Sequence, residues 1–566
     1  MAAPAAGLLL AAALAAAPAP LPAQEVDSLA ALRQARAAQA AFERFRYHRL
    51  PRTHARASGP CTERIGRWCF WFEPESADGL PEEPAEVAER RGLLVYELST
   101  AAESVPGEPW IVGQLVRYLV ESGDVQGAVA VARGCRAERW WCLALEGYAL
   151  HQGGRWPDAE RVYAAALESM PEEERARWTD PTLLLRPDDR RALRRMDDAE
   201  RAEAERRLWW LADPLWSEPG NDRLTEHYVR WTIDRMQERA RQVERTSWSD
   251  DSREVLVRYG WFTGWERYQP LIHGWTGEGS VVSYTADRSW EWLPPLSTAR
   301  DPATLRGDVF PLGEETPTAT RYAPEYLRRV LPLAHQLALF RRGGSAVLVA
   351  GYVLPADSFP ADARLRAAAV AMTGPDAPLL RSRWEPTAPS GALFLELPAA
   401  PAVVSLEVRE DSTRTLARWR QAVAPDPRAP ISDLLLLAHA DARPTELEEA
   451  ARISRGSTEV RAGETVGVYW EMYDLPATDS LTIRLGLVAP RASWVRRRLQ
   501  AIGVAGAPRP VRMRVGEETP GGSVVGRSLA VALPRDLRPG DYTLEVTVTA
   551  PGRPPATTRR VLSVVR

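Results

Sequence analysis

The sequence contains no lysine, so all of its 72 Lys-or-Arg positions are arginine. This absence excludes a lysine Schiff base, a Ser-x-x-Lys nucleophile and the lysine of a phosphate-binding loop. The sequence also lacks a Gly-x-Ser-x-Gly elbow, a His-Glu-x-x-His pair, an EF-hand loop and a Gly-x-Gly-x-x-Gly fingerprint. The sequence therefore contains none of these catalytic, metal-binding or cofactor-binding motifs, and we expect no catalytic residue, metal ligand or cofactor.

The chain also has no marked excess of charge of either sign, because it contains 72 arginines and 75 acidic residues, and its net charge is −3. Such a balance gives no electrostatic footprint for nucleic acid and no polybasic signature for anionic lipid. Hydrophobic residues form 45% of the 566-residue chain, which is an ordinary globular share. At roughly 100–200 residues per domain, we expect about three to five domains.

Long hydrophobic runs are scarce, and the one that stands out lies near the N-terminus. Gly7 to Ala17 is an unbroken run of small and apolar residues, too short for a membrane span of roughly 20 residues. It predicts a signal peptide cleaved after Ala23, although no arginine precedes it. No cysteine directly follows the run, so we expect a periplasmic or secreted protein without a lipid or transmembrane anchor.

Cysteine is rare, and its four residues form two close pairs, Cys61 with Cys69 and Cys135 with Cys142. An even number of locally paired cysteines in an exported chain predicts disulfides. Neither spacing fits a zinc ribbon or a redox Cys-x-x-Cys motif. Buried free thiols are the alternative.

Helical patterns dominate the first part of the chain. Ser28 to Arg46 is rich in alanine and arginine and lacks proline and glycine, which predicts a helix. Two helical hairpins are predicted between Ser104 and Pro171, because Gly123 and Ala128 recur as a second glycine and alanine at the same spacing. The second hairpin resembles a tetratricopeptide repeat at Gly147, Gly154, Ala159, Tyr163, Ala166, Leu167 and Pro171. That resemblance implies binding of a protein segment, and packing against the chain's own neighbours is the alternative.

Further helices are predicted in the central part. Asp188 to Leu208 places opposite charges four residues apart, which stabilises a solvated helix. A second helix is expected from Arg223 to about Val243. A strand is predicted over Val255 to Tyr259, and Trp248 is expected to fill the junction between helix and strand. Stacking of Trp248 on a ligand is the alternative.

A tryptophan-rich segment carries a motif. Ser247-Trp248-Ser249-Asp250-Asp251 is followed by Tyr259-Gly260, and Trp209-Trp210-Leu211-Ala212-Asp213-Pro214 precedes both. With these features, residues 209–260 resemble the GWxTD domain, a bacterial exported family without an assigned function. Serine replaces the first glycine of the signature and aspartate replaces its threonine. The family-motif residues are thus Trp248, Asp251, Tyr259 and Gly260.

Two kinds of site are considered in this region. A glycosidase needs paired carboxylates beside aromatic rings, and the candidates are Glu226, His227, Asp250, Asp251 and Glu266. The alternative is that Glu226 and His227 lie on an ordinary amphipathic helix and that Asp250 and Asp251 form a turn. The second possibility is that sugars stack on a cluster of tryptophans, and the alternative is that these side chains pack in the core. The cluster comprises Trp209, Trp210, Trp261, Trp265, Trp275, Trp290 and Trp292. The basic run Arg496 to Arg498 is interpreted as a solvated loop.

The last part of the chain has β patterns. Leu331 to Arg342 is expected to be helical or turn-like. The predicted strands are Ser345–Val353, Ala392–Leu397, Ala402–Val408, Thr465–Tyr473, Leu481–Val488, Val511–Val515, Ser528–Leu533 and Tyr542–Thr549. Short strands between glycine, proline and aspartate turns favour a sandwich over a barrel.

We therefore predict a multidomain α+β protein with an N-terminal helical, repeat-like region, a central α+β GWxTD-like domain and a C-terminal all-β immunoglobulin-like sandwich region. The expected segments are a signal peptide (1–23), a helix and disulfide loop (24–103), helical hairpins (104–180), the GWxTD-like domain (181–295), a linker (296–330), a β-rich domain (331–440) and the sandwich (441–566). The favoured function is non-enzymatic binding or assembly with a protein or envelope component. A hydrolase of glycan or peptide and a non-catalytic glycan binder are the alternatives.

Overall fold

A computed structural model describes residues 23–54, 61–70, 82–269, 279–285, 288–310, 312, 318–355, 358–359, 363–382, 385–488, 511–519 and 521–565. The apolar run of the predicted signal peptide, Trp275 and Arg496–Arg498 lie outside these residues. Helices occupy the N-terminal half of the chain, and strands paired into sheets occupy the C-terminal half. Within the described residues, no helix combines the length and hydrophobicity needed to span a membrane.

The helical half begins at Ala23 and continues almost to residue 300. Its helices are α1 (Ala23–Arg49), α2 (Ala85–Ser104), α3 (Pro109–Glu121), α4 (Val125–Gly134), α5 (Arg139–Gln152), α6 (Trp156–Ser169), α7 (Glu172–Thr179), α8 (Pro187–Leu193), α9 (Asp198–Ala212), α10 (Asp222–Gln237), α11 (Asp250–Tyr259) and α12 (Leu296–Arg300). One large core unites them, and it includes Phe42, Tyr118, Trp140 and Trp178.

The two predicted helical hairpins are confirmed as the pairs α3–α4 and α5–α6. Each pair turns on a glycine with positive φ, Gly123 at 83° and Gly154 at 69°, a conformation that glycine adopts without steric cost. Ala128 and Ala159, the second recurring position, are completely buried. The spacing of small residues therefore marks the two turns and a buried position in the helix that follows each turn.

Both predicted disulfides are present. Cys61 and Cys69 join a hairpin of two short strands, β2 (Glu63–Ile65) and β3 (Trp68–Phe70), while Cys135 and Cys142 span the turn between α4 and α5. A separate small sheet has the order β1-β4-β5, with β1 (Arg52–Thr53), β4 (Gly264–Tyr268) and β5 (Ser280–Tyr284).

The first β unit packs two sheets around a shared core that includes Leu348, Ala369 and Leu406. One sheet has the order β10-β9-β13-β14-β6, with β11 paired to β9, and the other has the order β12-β8-β7. Its strands are β6 (Arg329–Leu331), β7 (Ala334–Arg342), β8 (Ser345–Val353), β9 (Leu365–Met372), β10 (Leu380–Arg381), β11 (Glu385–Thr387), β12 (Ser390–Pro398), β13 (Ala402–Glu410) and β14 (Thr415–Val423).

The second β unit is also a two-sheet sandwich. The sheet orders are β15-β17-β20 and β16-β22-β21-β18-β19, and Trp470 lies completely buried between them. The strands are β15 (Leu435–Leu437), β16 (Glu459–Arg461), β17 (Thr465–Leu475), β18 (Thr478–Val488), β19 (Val511–Thr519), β20 (Gly522–Ala532), β21 (Gly540–Thr549) and β22 (Ala556–Val565), with a short helix α13 (Leu447–Arg452).

The helical half and the first β unit are joined by buried polar bonds. Glu407 on β13 accepts hydrogen bonds from the backbone N–H groups of Trp216 (3.1 Å) and Ser217 (3.0 Å). Arg420 on β14 lies 4.0 Å from the ring centroid of Trp216 and donates to the carbonyl of Leu211 at 2.9 Å. These bonds fix the chain after α9 against the sheet.

Two predictions about the central helices are wrong. The strand expected over Val255 to Tyr259 is the second half of α11. Val255 and Tyr259, four residues apart, pack against the hairpin, whereas Leu256 and Val257 belong to the large helical core. Asp250 and Asp251 provide negative charge in the first turn of the helix. The apolar run therefore covers two buried sides of a helix, and the expected turn at Asp250-Asp251 is the beginning of that helix.

Two predicted helices have other bounds than expected, and the first of them is divided into α8 and α9, of which α9 continues past Leu208 to Ala212. The helix expected over Asp188 to Leu208 is interrupted after Leu193, because the Asp197 side chain caps a new helix by accepting from the Glu200 N–H at 2.8 Å. The helix expected to reach Val243 ends at Gln237, before Arg239, which has a φ of 61°.

The helix or turn expected at Leu331 to Arg342 is also wrong, because Leu331 is the last residue of strand β6 and Ala334–Arg342 is strand β7. Strand β7 pairs antiparallel with β8 through Gly343 and Gly344, a hairpin turn in which Gly343 has a φ of 56°. The segment 296–330, expected as a linker, contributes Leu296, Leu305 and Tyr322 to buried clusters.

Candidate functional site

Two of the family-motif residues, Asp251 and Tyr259, hold the Cys61–Cys69 hairpin against α11. At the start of α11, an Asp251 carboxylate oxygen accepts from the Arg67 N–H at 3.3 Å. The Arg67 guanidinium in turn donates to the Ser247 carbonyl at 2.5 Å and to Ser249 Oγ at 3.0 Å. The motif therefore binds the tip of the hairpin through both its backbone and its side chains.

The end of α11 holds the other part of the same hairpin. Tyr259 donates its hydroxyl proton to Glu63 at 2.6 Å, and the two terminal nitrogens of Arg258 donate to the two Glu63 oxygens at 2.6 and 2.7 Å. The Phe70 ring stacks on the Tyr259 ring, with centroids 3.9 Å apart. Burial raises the pKa of Glu63, but the bonds from Arg258 and Tyr259 more than offset this and hold it below its ordinary value.

Trp248 and Gly260 bind α11 to α10. Trp248 donates its indole N–H to Asp234 at 2.7 Å, and Arg253 donates to the other Asp234 oxygen at 2.8 Å. Gly260 has a φ of 93° and passes close to Arg230, which donates to the carbonyls of Val257 and Arg258. Trp248 thus fills a junction, as expected, but the junction lies between two helices.

Trp248 also lines a cleft of about 690 Å³ between α1, the loop after α10 and the motif. Its charged and aromatic lining residues are Arg36, Glu238, Arg239, Arg241, Trp248, Asp250 and Arg253. We call this the motif cleft. A smaller cleft of about 180 Å³ shares Arg36, Glu238 and Arg239 with it and adds Trp110 and Trp141. The two clefts therefore meet at these three shared side chains.

The residues considered for catalysis have separate environments. Glu226 lies between Arg230 at 2.7 Å and His151 at 3.2 Å, and although burial alone raises its pKa, the contacts with these two side chains lower it to about 2. His227 is buried against the Trp178 carbonyl at 2.9 Å, and burial together with Arg223 lowers its pKa to about 3. Both residues belong to the interior of the helical core.

The remaining candidates also have structural partners. Asp250 is exposed and pairs with Arg253 at 2.6 Å, Asp251 holds the hairpin, and Glu266 accepts from Tyr284 at 2.7 Å. Among these five residues, only Asp250 lines the motif cleft. In the described part of the chain, no group of three or more His, Cys, Asp or Glu side chains is arranged to hold a metal ion.

Most of the tryptophan cluster is core. Trp209, Trp210, Trp290 and Trp292 are buried, and Trp210 stacks on Trp216 with centroids 5.2 Å apart. Trp261 and Trp265 are half-buried and contact each other edge to face. Core packing, the alternative to sugar stacking, therefore accounts for the four buried members.

Sequence reasoning missed the arginines of the motif cleft. Arg36 lies on α1, more than 200 residues before the motif, and nothing local distinguishes it from other arginines of that helix. Arg239 carried a weak signal, because it occupies the position after a helix where glycine is usual.

No family model matches this chain, and no curated protein matches it. Among solved structures, it is similar to a transglutaminase of red sea bream at 10% identity, over 41% of this chain and 31% of that one, with a TM-score of 0.14. It is similar to a Salmonella alpha-2-macroglobulin reacted with methylamine at 11% identity, over 50% and 20% of the two chains, with a TM-score of 0.15.

A segment of two fibronectin type III domains from chicken tenascin matches at 13% identity, over 41% of this chain and 99% of that one, with a TM-score of 0.13. The chain spans less than a third of the transglutaminase and a fifth of the macroglobulin. Likenesses at these TM-scores carry no argument about this protein.

Proposed function

We propose that this chain is an exported, non-enzymatic binding or assembly protein of the bacterial envelope, and that the motif cleft is its binding site. The observation that carries the proposal is the lining of that cleft. Among the described residues, the guanidinium groups of Arg36, Arg239 and Arg241 have no carboxylate partner. Unpaired arginines beside a half-buried tryptophan suit recognition of a partner rather than maintenance of the fold.

The proposal also assigns a type to three parts of the chain. We propose that residues 209–260 are a GWxTD-like domain, that helices α3–α6 are a tetratricopeptide-like pair and that the second β unit is an immunoglobulin-like sandwich. The predicted signal peptide, cut after Ala23, delivers the chain to the periplasm or outside the cell. Two local disulfides support that location, because disulfides persist in oxidising compartments.

Affinity capture tests the binding role. The full mature chain is immobilised and exposed to a native envelope extract, in parallel with an Arg36→Gln/Arg241→Gln variant and an Arg33→Gln control. Arg33 is exposed on the same helix α1 and does not line the cleft. We expect mass spectrometry to find a partner retained by the native chain and the control and lost by the cleft variant. Equal recovery by all three chains contradicts the proposal.

Export is tested on the native protein in its own cell. N-terminal sequencing and thiol labelling after fractionation should give a chain that starts at Gln24 with all four cysteines oxidised. A cytosolic product that retains Met1 and has reduced thiols contradicts the proposed location.

The hydrolase alternative has one observation in its favour. Glu238 and Asp250 line the same cleft, and each is paired with an arginine, Arg235 at 2.7 Å and Arg253 at 2.6 Å. A glycosidase could use two such carboxylates. Turnover of a chromogenic glycoside that disappears in both Glu238→Gln and Asp250→Asn would favour this alternative over simple binding.

A further inference from the structure

We propose that the ligand of the motif cleft is an extended acidic peptide segment of a partner protein, held by Arg36, Arg239 and Arg241. This inference rests on the proposed binding function and adds the chemical class of the ligand. It follows from four features of the cleft: its unpaired charges, its unpartnered donors, the backbone of Arg239 and its shape.

The charges around the cleft are not balanced. Arg235 is paired with Glu238, and Arg253 is paired with both Asp250 and Asp234. The three remaining arginines, Arg36, Arg239 and Arg241, have no acidic neighbour within salt-bridge distance among the described residues. A planar guanidinium presents two parallel N–H donors to a carboxylate, so carboxylates are the groups that these side chains bind best.

Two buried hydrogen-bond donors in the same place have no acceptor. Arg36 Nε and Trp110 Nε1 are both buried and unpartnered, and the Arg36 guanidinium lies 5.4 Å from the centroid of the Trp110 ring. A buried donor without a partner costs about 1–3 kcal/mol. Both orphan groups are donors, so a ligand that reaches this end of the cleft is favoured if it carries acceptors, as carboxylates and peptide carbonyls do.

Arg239 has a backbone conformation that is unfavourable for a residue other than glycine. Its φ of 61° lies in the left-handed region, directly after the C-terminal residues of α10. Glycine is the usual residue at such a helix end, and a non-glycine side chain costs roughly 1 kcal/mol there. The Arg239 side chain lines both clefts. The guanidinium thus reaches both clefts from a position that glycine usually occupies.

The shape of the site favours a peptide over a small anion. The two clefts, of about 690 and 180 Å³, meet at Arg36, Glu238 and Arg239 and so form one elongated surface. Glu238, Asp250, Ser247 and Ser249 line the larger cleft together with its arginines. Phosphate carries no N–H donor for those carboxylates. An extended peptide places side-chain carboxylates on the arginines and backbone N–H groups on the acidic residues.

Fluorescence anisotropy with a labelled peptide tests the inference. The probe is fluorescein-labelled hexaglutamate, the matched probe is hexaglutamine, and the protein is the full mature chain. We expect saturable binding of hexaglutamate and at least tenfold weaker binding of hexaglutamine. Inorganic phosphate and an oligosaccharide of alternating glucuronate and N-acetylglucosamine serve as competitors and should displace the peptide poorly.

Arg239→Gly separates recognition from folding. This variant relieves the backbone strain at Arg239, so its unfolding midpoint should equal or exceed that of the native chain while hexaglutamate binding weakens at least fivefold. Arg33→Gln removes the same charge from the exposed surface of α1 and should leave binding unchanged.

Each outcome has a defined meaning. Absence of saturable hexaglutamate binding, or equal weakening by Arg239→Gly and Arg33→Gln, overturns the inference. Displacement by the oligosaccharide at lower concentration than by unlabelled peptide also overturns it and assigns the cleft to an anionic glycan. If envelope capture still depends on Arg36 and Arg241, the binding function stands while the peptide assignment fails.

Discussion

Gly66 lies directly against the carboxyl group of Asp251: a Cβ atom placed on this glycine would lie 2.1 Å from Asp251 Cγ. Gly66 also has a φ of 51°, so the turn between β2 and β3 needs glycine for two independent reasons. The motif aspartate therefore holds the disulfide hairpin by direct contact with its turn. These contacts give Asp251 a structural role in this chain.

Gly66→Ala should detach the hairpin from α11. The new methyl group must displace the Asp251 carboxylate, which also loses its bond to the Arg67 N–H. We expect a loss of about 1–3 kcal/mol in local stability, seen as faster trypsin cleavage after Arg64 or Arg67 with the disulfide intact. Gly92→Ala is the matched control, because nothing lies within 4 Å of its Cβ position on α2. Equal cleavage rates for the two variants contradict the assignment.

The sequence allowed much of the local structure to be predicted but little of the site. Helical hairpins, both disulfides and most long strands follow from short-range signals such as glycine spacing, cysteine pairing and alternation. The α11 helix was missed because its three β-branched or aromatic residues favour a strand. In the fold, the helix places Val255 and Tyr259 against the Cys61–Cys69 hairpin and Arg253 against Asp234 of α10, and these contacts lie far apart in sequence.

The motif cleft shows the limit more clearly. Arg36 and Trp248 line one cavity although they are far apart in sequence. Likewise, Glu63 meets Arg258 and Tyr259 only through the folded hairpin. Contacts between residues so far apart in sequence depend on tertiary packing, and no local sequence pattern indicates them. The sequence marked Trp248 and Asp251 as notable without indicating what they contact.

Glu226 should make the stability of α10 depend on acid pH. Arg230 and His151 lower its pKa from 4.5 to about 2. The carboxylate therefore stabilises the folded state above pH 4.5, on the order of 3 kcal/mol, and this contribution is lost as the pH falls toward 2. Hydrogen exchange over residues 222–237 should be faster in Glu226→Gln than in the native chain at pH 6. A difference that persists unchanged at pH 2 contradicts this origin.

Asp222, on the same helix, should act in the opposite direction. Burial raises its pKa from 3.8 to about 6, although the Tyr322 and Tyr326 hydroxyls donate to it. The protonated form is favoured in the folded state, so stability falls as the pH rises from about 4 through 6. Asp222→Asn should protect α10 by on the order of 1 kcal/mol at pH 8 relative to the native chain, with a smaller gain at pH 5. Slower exchange of equal size at both pH values would show that the carboxyl ionisation is not responsible.

Gly526→Ala should destabilise the second β unit alone. Gly526 lies on β20, and a Cβ atom there would lie 2.0 Å from the Thr445 carbonyl oxygen and 2.7 Å from the Tyr469 hydroxyl. Because the nearest obstacle is backbone, the strand must shift, at a cost of about 1–3 kcal/mol.

Gly516→Ala on β19 provides the control, since nothing lies within 4 Å of its Cβ position. Alanine there should leave the stability unchanged or raise it slightly, because it restricts the unfolded chain. Hydrogen exchange should accelerate in β17 and β20 of Gly526→Ala and remain native in β8 and β13 of the first β unit. Acceleration in all four strands would mean that the two sandwiches unfold as one unit, and the Gly526 contact would then stabilise both.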